Sequence, residues 1–321
     1  MRIRIKGKTP IAITGEIKEI KPSHLEKKNE IDLFYLNGLG DIIYTHFKTI
    51  HLINQGFEIN IKTTDSWPQR SHQILGALEG IKSFEYLPGF NHKKYILKNI
   101  DDIFNPPKNV LFNGIPVLHI NSFLENNKHI EEFMPKFPCC YDIKLKTNDQ
   151  SKEWAKRKIS ENKQNLLLYC SSYRNNLNCN VHPDPNFWLD LTLLIQNWKE
   201  FEDLKIFVVG ASYDNDLTSD VFNSMKAKGI KCELLIDHNF LDLIELIRSI
   251  DFVITYESGF GMISDVLKTP CLEIFRCQGG TRSDKLFPYL GPINPENIEK
   301  TFFPIFYDDD LNAVKKKLDS F

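Results

Sequence analysis

The segment 250–275, IDFVITYESGFGMISDVLKTPCLEIF, holds the residues best suited to bind a ligand. Its pattern predicts a buried strand, a tight turn, a short helix and a second buried strand, over 252–255, 257–259, 260–267 and 271–275. The turn consists of Glu257, Ser258 and Gly259. Such a unit presents free backbone N–H groups and the positive end of a helix dipole, which is how α/β folds bind phosphates. The alternative is an ordinary strand–turn–helix unit that binds nothing.

A second candidate is the GLGD segment after the strand predicted over 32–36. Gly38 and Gly40 lie in the predicted loop, and Asp41 opens the helix predicted over 41–54. No glycine stands three residues after Gly40, so the dinucleotide-binding fingerprint is incomplete. A carboxylate at this edge of a sheet can act as a general base toward a hydroxyl. The alternative, equally open from the sequence, is that Asp41 only caps the helix.

The third candidate is a long polar loop that follows the strand predicted over 165–170. It begins with Ser171 and Ser172, and Arg174 follows. Two hydroxyls and a guanidinium can hydrogen-bond a diphosphate and offset its charge. For this segment alone, a plain surface loop is the simpler interpretation.

The elements around these loops alternate between strand and helix, most regularly after residue 165. This alternation predicts an α/β fold with parallel sheets and helices on both faces. The length suits two domains, predicted at 1–150 and 151–321. Residues 1–30 form a polar N-terminal extension, the charged helix predicted over 149–162 connects the halves, and a helix over 311–321 ends the chain.

Composition excludes several classes of protein. With 42% hydrophobic and 26% charged residues the chain is globular, and its net charge of −2 gives no strong nucleic-acid signal. The apolar runs fall short of the ~18–20 residues of a membrane span, so no transmembrane segment is predicted. The seven cysteines are scattered and form neither a disulfide framework nor a zinc-binding pair, and we expect no metal site and no cofactor.

Together these residues resemble glycosyltransferase family 9, the ADP-heptose:lipopolysaccharide heptosyltransferases, whose two Rossmann-like domains face each other across a cleft in the GT-B arrangement. GLGDIIYTHFKTI looks like that family's GD(I/V)LxTxPAL segment, and ITYESGFGMISDVLKTPCLEIF looks like its (D)(S/T)GxxHLAxALxxPxxxLF segment. The resemblance implies that Asp41 is the catalytic base and that amides at Ser258, Gly259 and Phe260 bind the nucleotide diphosphate. It also implies nucleoside contacts from segments 210–216 and 238–247, which contain Gly210 and Phe240.

The chain departs from the family pattern at three places. Glu257 replaces the usual Asp, and Met262 stands where the motif has His. The family's phosphate-contacting Lys has no counterpart in NVHPDPNFW, so Arg174 is the substitute candidate.

The sequence thus predicts a metal-independent, inverting glycosyltransferase that moves a hexosyl or heptosyl group from a nucleotide-sugar donor to a hydroxyl of a glycan or another acceptor. Two alternatives stay open. One is a nucleotide-sugar epimerase of the same fold, and the other is a sugar-nucleotide-binding module without activity. The expected location is the cytoplasm, with a peripheral position at the inner membrane face left open.

Overall fold

The computed structural model describes residues 2–3, 11–12, 30–35, 38–63, 68–86, 111–112, 115–118, 142–159, 164–171, 183–197, 203–275, 277–278, 281–282, 302–306 and 311–319. Its helices are α1 (Leu39–Asn54), α2 (Pro68–Ala77), α3 (Asp149–Lys158), α4 (Pro185–Gln196), α5 (Asn215–Ala227), α6 (Phe240–Ser249), α7 (Gly259–Leu267) and α8 (Leu311–Leu318). Its strands are β1 (Arg2–Ile3), β2 (Ile11–Ala12), β3 (Glu30–Tyr35), β4 (Glu58–Thr63), β5 (Ile81–Tyr86), β6 (Leu111–Phe112), β7 (Ile115–Leu118), β8 (Gln164–Tyr169), β9 (Leu204–Gly210), β10 (Cys232–Ile236), β11 (Phe252–Tyr256), β12 (Cys271–Phe275), β13 (Cys277–Gln278), β14 (Thr281–Arg282) and β15 (Phe302–Phe306). None of these described helices is long and apolar enough to cross a membrane.

The second half of the chain forms a six-stranded sheet in the order β10-β9-β8-β11-β12-β15. All of its strand pairs are parallel, as the alternation of elements predicted. This is the Rossmann order, in which the first strand of the half is central and its neighbours are added to one side and then to the other. The order reverses between β8 and β11. In such sheets ligands bind beyond the carboxyl ends of the two strands at this switch point.

Strand β8 shows why these segments become buried parallel strands. Its residues Leu166, Leu167 and Leu168 form a continuous apolar run and are fully buried. Leu166 and Leu168 join a cluster on one face of the sheet, whereas Leu167 joins a cluster on the other face. An apolar run without alternation is what a strand covered on both faces requires.

The first half forms a five-stranded sheet in the order β5-β4-β3-β7-β6. Strands β5, β4, β3 and β7 are parallel, and β6 pairs antiparallel with β7. Its switch point lies between β3 and β7, and the chain leaves the carboxyl end of β3 toward Gly38 and α1. In the predicted N-terminal extension, the described residues form the antiparallel pair of β1 and β2.

The two halves pack directly on each other through their helices. Helix α1 contacts α7, and α2 contacts α6. One hydrophobic cluster therefore continues from the first sheet into the second half; its members include Leu33, Ile61, Ile42, Phe47, Leu243 and Phe260. Across the same boundary, the amide of Phe240 donates to Oε1 of Gln73 at 2.7 Å. Residues at the starts of α1, α6 and α7 thus depend on both halves for their surroundings.

The segment 142–148 connects the halves and is bonded to both. The amide of Lys146 donates to the carbonyl of Ala77 at 2.7 Å, and that of Glu79 to Lys144 O at 3.1 Å. On the other side, the Arg248 guanidinium donates to Leu145 O at 2.7 Å. The predicted domain boundary at 150 and 151 falls inside α3, which packs on α6 of the second half.

Several predicted bounds need correction. Helix α1 begins at Leu39 rather than at residue 41, because the Ile42 amide already donates to Gly38 O at 2.9 Å. The connector helix α3 ends at Lys158 rather than at residue 162, since Ile159 adopts an extended conformation. Helix α6 begins at Phe240, because the Asn239 side chain caps it. Strand β15, which completes the second sheet, was not predicted.

Candidate active site

The candidate site is the turn between β11 and α7, at the carboxyl edge of the second sheet. Ser258 is the N-cap of α7, and its Oγ accepts the amide of Phe260 at 3.2 Å. Ser258 Oγ also lies 2.8 Å from Thr255 Oγ1, which donates to Tyr256 O at 2.8 Å. Because the single hydroxyl proton of Thr255 is donated to Tyr256 O, the Ser258 hydroxyl is the donor to Thr255 Oγ1. These hydrogen bonds join residues of the turn to each other and thereby restrict its conformation.

Gly259 is the first residue of α7, and its amide donates to no described residue. Amides in the first turn of a helix lack intrahelical partners and carry the positive end of the dipole. The alpha carbon faces the other half: a Cβ on Gly259 would lie 2.7 Å from Leu39 Cγ. The absence of a side chain at Gly259 is therefore required by the contact with α1 as well as by any approaching ligand.

The first turn of α1 meets this turn from the opposite half. A Cβ on Gly40 would lie 3.6 Å from Gly259 Cα, 3.8 Å from Gly259 N and 3.7 Å from Met262 Cγ. Since Gly40 has no side chain, the space beside the Gly259 amide stays open. Asp41 is the next residue of α1; its backbone lies in the first turn, and its side chain is outside the described part of the structure. The predicted base and the predicted phosphate turn are thus brought together.

Ser171 lies across the switch point from this turn. It follows β8, and the register pairs Tyr169 of β8 with Thr255 of β11, which places Ser171 level with Glu257. The Ser171 side chain is 0% exposed, and its Oγ has no hydrogen-bond partner among the described residues. Buried hydroxyls are nearly always bonded, so this oxygen is suited to a ligand at the switch point. Ser172 and Arg174 lie outside the described residues.

Most of the remaining predicted donor-site residues pack against other parts of the protein. Phe240 and Phe260 are both buried, with ring centroids 6.1 Å apart and nearly perpendicular planes. Phe260 also packs on Tyr169, at 4.5 Å between centroids. A Cβ on Gly210 would lie 2.6 Å from Thr218 Oγ1, so this glycine makes room for α5. Met262 is buried against Gly40, and Glu257 is partly exposed in the turn.

The loops predicted to contact a nucleoside lie beside this turn, after β9 and β10. Asp237 has a left-handed backbone (φ 49°), and its Oδ1 accepts the Ser212 amide at 3.0 Å while Oδ2 accepts the Ser212 hydroxyl. His238 contacts the Asp242 carboxylate at 3.1 Å and stacks on Trp154 with 4.3 Å between ring centroids. The two loops are therefore fixed to each other and to α3.

Sequence reasoning missed Glu273. This residue is 2% exposed in the middle of β12, and its Oε1 accepts the Ser258 amide at 3.3 Å. Burial, followed by the charges of Glu257 and Asp265, raises the pKa of its carboxyl well above the ordinary value. The signal was an acidic residue inside the otherwise apolar strand CLEIF. Among the described residues, no group of three His, Cys, Asp or Glu side chains is placed to hold a metal ion.

Comparison with known proteins identifies the fold. No family model matches the sequence, and no curated protein matches it significantly. Solved structures do match: ADP-heptose lps heptosyltransferase II of E. coli has a TM-score of 0.62 at 11% identity, over 91% of this chain and 98% of that chain. A glycosyltransferase family 9 structure from Veillonella parvula has a TM-score of 0.54 at 11% identity, over 92% of each chain. E. coli heptosyltransferase WaaC with ADP has a TM-score of 0.54 at 12% identity, over 91% of this chain and 99% of that one.

The chain has the two-domain, Rossmann-like GT-B fold of these glycosyltransferases. The predicted fold class and the predicted resemblance are both confirmed at the level of the fold.

Proposed function

We propose that this protein is an inverting glycosyltransferase that moves a sugar from a nucleotide-sugar donor to an acceptor hydroxyl without a metal ion. The observation that supports the proposal is the contact between the two turns that lie at the switch points of the two sheets. Gly40, beside Asp41, lies against Gly259, whose amide opens α7. A general base and an anion-binding turn on opposite halves are what such a transfer needs.

The donor's diphosphate binds at the carboxyl ends of β8 and β11. The Gly259 amide and the positive end of α7 offset its charge from one side, and the buried hydroxyl of Ser171 donates from the other. Ser172 and Arg174 complete this set in the proposal. Negative charge grows on the diphosphate as it leaves, so these groups stabilise the transition state more than the bound donor.

The acceptor approaches from the first half. Asp41 removes the proton from its hydroxyl, and the oxygen attacks the anomeric carbon on the face opposite the diphosphate, which inverts the configuration. The bond to the diphosphate breaks as the new glycosidic bond forms. By the resemblance, the transferred group is hexosyl or heptosyl, and the reaction takes place in the cytoplasm, where nucleotide sugars are made.

A thermal-shift screen with ADP-, UDP-, GDP- and CDP-sugars tests the donor site. A ligand present at about 100 times its dissociation constant adds about 2.7 kcal/mol to the free energy of unfolding. The best donor is then incubated with glycan and small-molecule acceptors, with and without EDTA, and products are read by mass spectrometry. Sugar transfer that survives EDTA supports the proposal.

The other outcomes have distinct meanings. Interconversion of the donor without an acceptor would identify an epimerase. A thermal shift without transfer or hydrolysis would identify a binding module, in line with Met262 at the position of the family's His. If none of the four classes of nucleotide sugar shifts the melting temperature, the donor site itself is wrong.

A further inference from the structure

Glu273 lies directly beneath the first turn of α7. Its strand β12 pairs with β11, and the register sets Glu273 against Thr255, whose hydroxyl holds Ser258. The Glu273 Oε1 accepts the amide of Ser258 at 3.3 Å. A side-chain carboxyl from a neighbouring strand therefore takes part in the hydrogen bonding of the turn.

Helix α7 is adapted to this carboxyl. A Cβ on Gly261 would lie 2.7 Å from Glu273 Oε1 and 2.8 Å from its Cδ, closer than real contacts allow. Glycine inside a helix is less favourable than alanine. The glycine at this position is explained by the carboxyl that occupies the space of its missing side chain.

Among the described residues, the side chains around Glu273 are acidic or uncharged. Glu257 faces it from the turn, Asp265 from α7 and the Cys271 thiol from its own strand. No described lysine or arginine forms an ion pair with it. A carboxylate buried in such surroundings is unfavourable, so the group is held as the neutral acid.

We propose that Glu273 is a positioning residue, which holds the Ser258 amide and thereby fixes the turn that binds the donor's diphosphate. This role rests on the proposed function, because it names the support of that same site. A neutral carboxyl can accept the amide without cancelling the positive end of α7. An ionised one would place a negative charge under the phosphates and weaken their binding.

The test compares wild type with Glu273→Gln and Glu273→Leu. Isothermal titration measures the affinity for whichever of ADP, UDP, GDP and CDP binds wild type most tightly, between about pH 7 and about pH 10. The ligand's terminal phosphate, with a pKa of about 6, is already ionised in this window. Glu273→Gln keeps the acceptor for Ser258 and cannot ionise, so it separates positioning from charge.

We expect Glu273→Gln to match wild type at neutral pH within about twofold and to keep its affinity at every pH, whereas the affinity of wild type falls once the carboxyl ionises. Glu273→Leu loses the acceptor and weakens binding by about tenfold at every pH. Wild-type affinity in folded Glu273→Leu would overturn the proposal, and so would a loss in Glu273→Gln at neutral pH as large as that in Glu273→Leu. If wild type binds none of the four nucleotides, the proposed function fails instead.

A second measurement covers the case that Glu273→Leu does not fold. The pKa of Glu273 is higher in the folded than in the unfolded chain, so its stabilising contribution is present at low pH and is lost as pH rises through the folded value. In urea unfolding, wild type should therefore lose stability relative to Glu273→Gln as the pH rises above the unfolded value of about 4.3, until the folded value is passed. Parallel curves contradict a buried neutral carboxyl at this position.

Discussion

The turns after β3 and after β11 are the same kind of unit, a strand leading into a helix at a switch point, but they are built differently. In the first half, Gly38 stands at the N-cap of α1 and offers only its carbonyl, which accepts the amide of Ile42. In the second half, Ser258 caps α7 with its side chain and is itself held by Thr255 and Glu273.

This difference separates two tasks. The second turn is fixed by hydrogen bonds within its own half, as a site for an anion must be if the amides are to be preorganised. In the described part of the first turn, the support comes from the bond between Gly38 and Ile42 and from contact with Gly259 of the other half. We therefore expect changes in the first turn to affect turnover and changes in the second to affect nucleotide binding.

The largest expected effect is that of Asp41→Asn, in the first turn. General-base catalysis contributes about 10²–10⁴-fold, so turnover should fall by about that factor. Nucleotide affinity should stay close to that of wild type, because Asp41 has no part in binding the diphosphate. Steady-state kinetics and isothermal titration on the same preparation measure both. Unchanged turnover would remove Asp41 from the mechanism.

The second prediction concerns the opposite responses of the two halves to pH. His46 of α1 is buried, and burial lowers its pKa from 6.5 to about 4, while its Nε2 donates to Glu79 O at 3.3 Å. The unfolded chain therefore binds the proton first, and stability falls as the pH drops from about 6.5 toward 4. The loss should be roughly 3 kcal/mol.

His46→Gln is the matched control, since its amide can still donate to Glu79 O. Urea unfolding between about pH 7 and about pH 4 should show wild type losing stability relative to the variant. A constant difference between the two proteins over this window would contradict a neutral, buried His46. The Glu273 carboxyl of the second half acts with the opposite sign, because its raised pKa makes stability fall as the pH rises above the unfolded value.

The third prediction compares the two glycines at the contact. A Cβ at Gly259 would lie 2.7 Å from Leu39 Cγ, whereas a Cβ at Gly40 would be 3.6 Å from its nearest neighbour. Gly259→Ala should cost about 1–3 kcal/mol of stability, and Gly40→Ala should be neutral or slightly stabilising. Thermal unfolding measures both. Gly259→Val should also abolish nucleotide binding.

A double variant shows whether the clash with Leu39 is the cause. Leu39→Ala, added to Gly259→Ala, should recover most of the lost stability, giving a coupling energy on the order of 1 kcal/mol or more. Additive effects would mean that the two residues do not touch in solution. In that case the closed contact between α1 and α7 would be wrong.

The smallest expected effect is that of Ser258→Ala in the second turn. Loss of the N-cap oxygen should cost about 1 kcal/mol of stability. Affinity should fall only severalfold, since the backbone amides remain. Asn148→Ala is the control, because Asn148 caps α3 through the Ser151 amide at 2.8 Å, away from the turn. It should lose similar stability with no change in nucleotide affinity; equal losses of affinity would point to a general loosening.

Most of the elements could be predicted from the sequence because their signals are local. The run of leucines at 166–168 predicts a buried strand, and the sequence ESG predicts a turn before a helix. The bounds were less secure. Helix α1 extends back to Leu39 because Gly38 offers an acceptor, and residue types around a GLG sequence do not reveal this.

The roles of particular residues were harder to assign. Phe240 and Gly210 stood in segments expected to contact a nucleoside, yet the structure places Phe240 in the core and Gly210 against Thr218. Whether their backbones also contact a ligand stays a prediction. Both assignments rested on position along the chain, which does not specify the direction of a side chain.

By itself, the sequence determined the α/β class, the two turns that lead from a strand into a helix, and the residue types that could bind an anion or remove a proton. The tertiary structure alone decided that Gly40 lies against Gly259 and that the carboxyl of Glu273 lies under Ser258. The reason is physical: local patterns depend on neighbours in the chain, whereas these contacts depend on strand order, on parallel register and on how two halves pack. Residues distant in sequence meet only after those choices are made.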